Sequence, residues 1–112
     1  MNFEDLEIWK RSVKLSIAIY KETLNLKDYG FKDQITRSSL SIPSNIAEGM
    51  LRDSVKETQH FLSYSKASCA ELQTQIIIGK EVGFLKEGFC LSSYQECKEL
   101  IQMISSFSKK LN

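Results

Sequence analysis

Gln34, Arg37, Ser41, Asn45 and Glu48 recur at helical spacing, so they set a stripe of hydrogen-bonding side chains along one helix face. Glu71 and Gln75, one turn apart, supply a matching pair farther along the chain. An arginine, an asparagine, carboxylates and amides brought together could hold an anion or transfer a proton. The companions such chemistry needs are missing from the pattern. No nucleophile–base arrangement accompanies the stripe, and the only histidine, His60, lies on a stretch bearing lysine and glutamate that reads as solvated. Cys69, Cys90 and Cys97 form no CxxC pair, and with His60 they match no zinc spacing. Glu57-Thr58-Gln59-His60 is a single Glu-x-x-His, short of the two such pairs and inward glutamates a di-metal bundle site needs, and there is no glycine loop of the nucleotide-binding kinds. The expectation is a structural network of Gln34, Arg37, Ser41, Asn45, Glu48, Glu71 and Gln75, with an Arg37–Glu71 ion pair at its centre. A carboxylate among small and apolar neighbours needs such a partner, because an unpaired buried charge is costly. Catalytic residues, metal, cofactor and small-molecule substrate are all expected to be absent, and the chain is not expected to be an enzyme.

Helices must position these residues. One proline and five glycines in 112 residues leave few breaks, and the apolar residues between them repeat with a 3.6-residue period. Capping-box spacings at Asn2–Asp5, Ser54–Glu57 and Ser92–Gln95 mark helix starts. The pattern predicts one all-α domain over 1–112, an antiparallel up-down-up-down four-helix bundle with helices at about 3–28, 31–48, 54–82 and 90–111. Pro43 falls inside the second, where proline removes a backbone donor and displaces the carbonyl four residues earlier, at a cost of about 3 kcal/mol. A kink near Pro43, or two short helices meeting there, is expected.

The first helix carries more apolar surface than a bundle needs. Leu6, Trp9, Val13, Ile17, Tyr20 and Leu24 make one stripe, and Ile8, Leu15, Ile19 and Leu26 a second, about 140° away. The last helix has one, running through Cys97, Leu100, Ile101 and Ile104. The reading assigns the Ile8, Leu15, Ile19 and Leu26 stripe to a contact between copies of the chain. Its competitor is a central first helix covered by its own neighbours.

Composition bounds the partners. The 42% hydrophobic and 26% charged residues are those of a globular domain, and no apolar run approaches the roughly 20 residues of a membrane span. No leader pattern opens the chain, and the odd cysteine count suits a reducing compartment, so a cytoplasmic location is expected. A net charge of +1 creates no strong field for nucleic acid. Lys10, Arg11, Lys14, Lys21, Arg52 and Lys56 are the candidate phosphate contacts, but five basic and five acidic residues balance over 4–28.

Two stretches carry a family likeness. Phe3-Glu4-Asp5-Leu6-Glu7-Ile8-Trp9 and, above all, the SIPSNIAEG string from Ser41 to Gly49 within residues 29–49 resemble the bacterial four-helix-bundle proteins encoded in 23S ribosomal RNA intervening sequences. Ser68, Glu71, Leu72, Gln75 and the Val82-Gly83-Phe84-Leu85 turn extend the match to about residue 85. The resemblance implies a homo-oligomeric barrel, typically a homopentamer, with the polar stripe as motif positions. The related accessory proteins of diversity-generating retroelements are strongly basic pentamers that bind a reverse transcriptase and nucleic acid. This chain's charge departs from theirs. The expected function is a helical scaffold that binds itself and structured RNA or an RNA-handling protein; the alternative is a protein-only adaptor.

Overall fold

The computed structural model describes residues 2–111. A 3-10 turn at Phe3–Asp5 leads into four helices: α1 (Glu7–Glu22), α2 (Tyr29–Met50), α3 (Val55–Glu81) and α4 (Glu87–Lys109). No strand occurs among the described residues, and the fold is the expected all-α four-helix bundle.

Local chemistry sets the boundaries and moves several from their expected places. Asn2 accepts from the Glu4 N–H and caps the 3-10 turn, after which the extended backbone of Leu6 delays α1 to Glu7. That helix ends at Glu22, well before residue 28. The Thr23 hydroxyl donates to the Ile19 carbonyl at 2.8 Å, and Asp28 caps the next helix by accepting from Phe31 N–H at 3.0 Å. Ser54 accepts from the Glu57 N–H at 3.1 Å and starts α3. Ser92 caps nothing: α4 already begins at Glu87, and the Ser92 hydroxyl donates to Phe89 O inside the helix. Between α3 and α4 the chain reverses through Gly83 at φ +82°, with Phe84 N–H donating to Gly79 O at 2.8 Å and Gly83 N–H to Lys80 O at 3.1 Å. This left-handed glycine cap satisfies carbonyls that the helix end would leave open.

The helices pack in a closed ring. α1 lies beside α2 and α4, α3 lies beside the same two, and no diagonal pair of helix backbones approaches closely among the described residues. Ile35, Ile42 and Ile46 of α2, Leu62, Cys69, Leu72 and Ile76 of α3 and Cys97, Leu100 and Ile104 of α4 belong to one core, all essentially without solvent contact. α2 remains one helix through the buried Pro43 rather than two short ones. Buried hydroxyls surround that point: Ser65 donates to the Ile42 carbonyl at 2.9 Å, and Ser39 donates to Thr36 O at 2.8 Å while meeting Ser16 Oγ at 3.0 Å.

The two stripes of α1 exchange roles. Ile8, Leu15 and Ile19 are buried in the protomer's own core and Leu26 is half-buried, so they are not a surface awaiting another copy. The exposed apolar surface is the far part of the other stripe, with Ile17 48% exposed and Tyr20 and Leu24 also open to solvent, while Leu6 is buried and Trp9 and Val13 are half-buried. Ser12 and Ser16 share the buried face, where their hydroxyls bond Trp9 O and Ser39 Oγ. Small, internally satisfied serines let helix backbones approach closely, which explains why the less continuous stripe faces inward.

Candidate functional site

The polar stripe divides into separate pieces. Arg37 is 76% exposed and pairs with Asp33, one turn earlier on its own helix, at 3.1 Å. Glu71 is exposed and has no ion-pair partner among the described residues. The expected Arg37–Glu71 bridge is therefore not formed, because a carboxylate four residues away needs no reach across the seam. The seam between α2 and α3 is joined instead by small groups. Asn45 Nδ2 donates to Ser41 O at 2.8 Å and to Ser41 Oγ at 2.9 Å, and the Ser68 hydroxyl donates to Ser41 Oγ at 2.9 Å. Gln34 is exposed, Glu48 lies 3.8 Å from Arg52, and Gln75 holds a buried Oε1 without a hydrogen-bond partner among the described residues. Of the seven stripe residues, Ser41 and Asn45 are brought together; Ser68 completes that cluster.

The candidate cations are likewise dispersed. Arg11 is committed: its Nε donates to Glu96 Oε2 at 2.8 Å, its Nη2 reaches Glu99 Oε1 at 2.7 Å, and its Nη1 lies 3.1 Å from Met103 Sδ. Hydrogen bonds to Glu96 and then Glu99 hold the guanidinium even more firmly protonated than usual, and Arg11 with Gln95 holds the Glu99 carboxyl below the usual carboxylate range. Arg11 thus closes α1 on α4 instead of facing phosphate. Lys10 sits 4.0 Å from Glu7. Lys14 lines the α1/α4 side and Lys21 the α1/α2 side, whereas Arg52 and Lys56 lie at the α2–α3 corner beside His60, Phe61 and Tyr64. They form no single patch.

Apolar surface stands out in three places, one of them a groove of about 410 Å³ between α1 and α4 lined by Leu6, Ile8, Met103 and Phe107. Between α1 and α2 a groove of about 410 Å³ is lined by Val13, Ile17, Tyr20, Leu40 and Pro43, with Lys21 at its edge. Between α3 and α4, Ile77, Leu91 and Tyr94 stand out beside Gly88, and Leu91 is 77% exposed. Periodicity showed both stripes of α1 but not which one would stay outside. All three thiols are buried, and burial pushes Cys69 up to about 12 and raises Cys97 and Cys90 as well. Among the described residues no three His, Cys, Asp or Glu side chains converge as metal ligands, and no helix is long and apolar enough to cross a membrane.

Comparison with known proteins places this architecture. No curated protein matches the chain. A crystal structure of a protein of unknown function from the S23 ribosomal protein family of Bacteroides thetaiotaomicron is similar over 92% of this chain and 99% of that one, with a TM-score of 0.85 and 20% identity. That likeness establishes the shared fold. The family model described as 23S rRNA-intervening sequence protein matches residues 4–106, which span the four helices nearly end to end. The chain belongs to the 23S rRNA-intervening sequence protein family.

Proposed function

We propose that this protein is a non-enzymatic, cytoplasmic scaffold that assembles with copies of itself and binds RNA or an RNA-handling protein. The exposed apolar groove along α1 and α2 carries the reading, since side chains such as Ile17, Tyr20 and Leu40 gain by leaving water. The α3/α4 surface bearing Leu91 lies across the bundle from it, because neither of its helices shares that groove. Two different apolar surfaces on opposite sides favour head-to-tail association over a self-complementary pair, and closure then gives a ring. The count of five rests on the family resemblance.

The non-enzymatic part is supported by the dispersed polar stripe, the buried high-pKa thiols, and a His60 whose ring meets Tyr64 edge-on at 5.5 Å. The nearly balanced charge, fifteen basic against fourteen acidic residues, favours a second reading, a protein-only adaptor. Light scattering after size exclusion, at low and high salt, tests the assembly. A mass several times 12.8 kDa that survives salt supports it, and a monomer at both overturns it. Retention on RNA that falls steeply with salt supports the RNA role, and salt-insensitive retention of protein alone supports the adaptor.

A further inference from the structure

We propose that the cleft at the α2–α3 corner binds single-stranded nucleic acid, with phosphate against Lys56 and Arg52 and a base against the ring of Tyr64. The inference rests on the RNA-binding half of the proposed function and assigns it to a place. Lys56, His60 and Tyr64 follow one another at four-residue steps on α3, so one line of the helix presents a cation, an imidazole and a phenol in succession. With Arg52, Glu57 and Phe61 they line an open cleft of about 330 Å³.

The rings are mutually braced. Tyr64 is half exposed and is met edge-on by His60 at 5.5 Å and by Phe61 at 5.7 Å, which fixes its plane while leaving surface open. Arg52 lies over Phe61, its guanidinium carbon 5.1 Å from the ring centroid, so its donors are held beside the aromatic group. Cations next to an exposed aromatic platform are the elements that grip a strand without reading its sequence. One acid faces the cleft and a second approaches its arginine from beyond the lining. Glu57 lines it, and Glu48 approaches Arg52 at 3.8 Å in a long contact between exposed groups, which a phosphate can replace. Lys56 has no ion-pair partner among the described residues. An acidic peptide would use the cations but leave the tyrosine platform idle, so the rings favour a nucleobase.

The test is fluorescence anisotropy of labelled oligouridylate and oligodeoxythymidylate with the full chain at several salt concentrations. Tyr64→Ala is expected to bind about tenfold more weakly, while Tyr64→Phe, which keeps the ring, binds nearly as the parent does. Lys56→Ala is expected to weaken binding and to make the slope of log affinity against log salt shallower by about 0.7, as for one lost phosphate contact on a single strand. Lys27→Ala, in the connection beyond the far end of α2, is expected to change nothing, and circular dichroism checks that every variant keeps its helices. Binding of either oligonucleotide with these losses supports the cleft, and tighter binding of the ribonucleotide adds that the 2′-hydroxyl is read. Parent-like binding by both Tyr64→Ala and Lys56→Ala overturns it, as does equal competition by polyglutamate. If the parent binds a folded RNA hairpin but neither oligonucleotide, the cleft falls and the RNA reading stands. If it binds none of the three, both fall.

Discussion

On its α4 side, α1 is closed by Arg11, whose guanidinium is shared between Glu96 and Glu99. On its α2 side the same helix presents Val13, Ile17 and Tyr20 to an open groove completed by Leu40. Around Arg11 the first flank satisfies its own charges within the chain, and toward Leu6, Ile8, Met103 and Phe107 it opens into a groove. The other flank leaves apolar surface in water, beside no ion pair among the described residues. The difference teaches where to look for a partner. Charges already paired, as at Arg11, gain little from new contacts, since they would have to be stripped of existing bonds, whereas an open apolar groove gains from any complementary cover.

Substitutions can break this contrast. The largest effect is expected at Ile19, which has no solvent contact and lies between the two flanks. Ile19→Asp buries a charge without a partner and should abolish cooperative folding, read as loss of helical circular dichroism. A parent-like spectrum and melting curve would show that this face is not core.

A smaller loss is expected where backbones and side chains meet closely without charge. A Cβ on Gly79 would lie 2.6 Å from Leu85 Cδ1 and 2.8 Å from Phe31 Cζ. Gly79→Ala should therefore destabilise by about 1–3 kcal/mol despite its better helix propensity, measurable as a lower urea midpoint with an unchanged m-value. A raised midpoint would mean that Leu85 and Phe31 yield freely.

The smallest effect belongs to the ionic flank. Arg11→Ala should cost about 0.5–1 kcal/mol at neutral pH, because its partners are partly exposed. The sign with pH follows from Glu99, whose carboxyl is held below its ordinary value by Arg11. Stability from that contact is present above the unfolded carboxylate pKa and is lost as pH falls through the lower folded value. The gap between parent and Arg11→Ala should thus close under acid, and a gap that widens there would contradict the assignment.

Much of the core was legible because its spacing is plain. Ile35, Ile42 and Ile46, and likewise Leu62, Cys69, Leu72 and Ile76, repeat at helical intervals with few polar interruptions. α1 misled because Ser12, Ser16 and Thr23 dilute its buried face, while Trp9, Val13, Ile17 and Tyr20 read as an unbroken apolar stripe. Hydropathy counts a serine as polar, yet these hydroxyls bond locally or across to Ser39 of α2 and bury without loss. The Arg37–Glu71 pair failed for a related reason: a sequence shows which charges share a seam, but Asp33 was the nearer competitor on the same helix. The spacing of His60, Phe61 and Tyr64 puts their rings together on α3, but the Arg52 guanidinium over Phe61 was hidden, since it depends on the α2–α3 connection folding back.

The central claim is that the α1/α2 groove is an interface and is met by the α3/α4 surface of another copy. Light scattering on Ile17→Asp, on Leu91→Asp and on their equimolar mixture tests it most directly, because each variant keeps one of the two surfaces intact. The account predicts two folded monomers that combine on mixing into a particle of two chains and grow no further. Variants that keep the parent's assembled mass, or monomers that ignore each other when mixed, would contradict it.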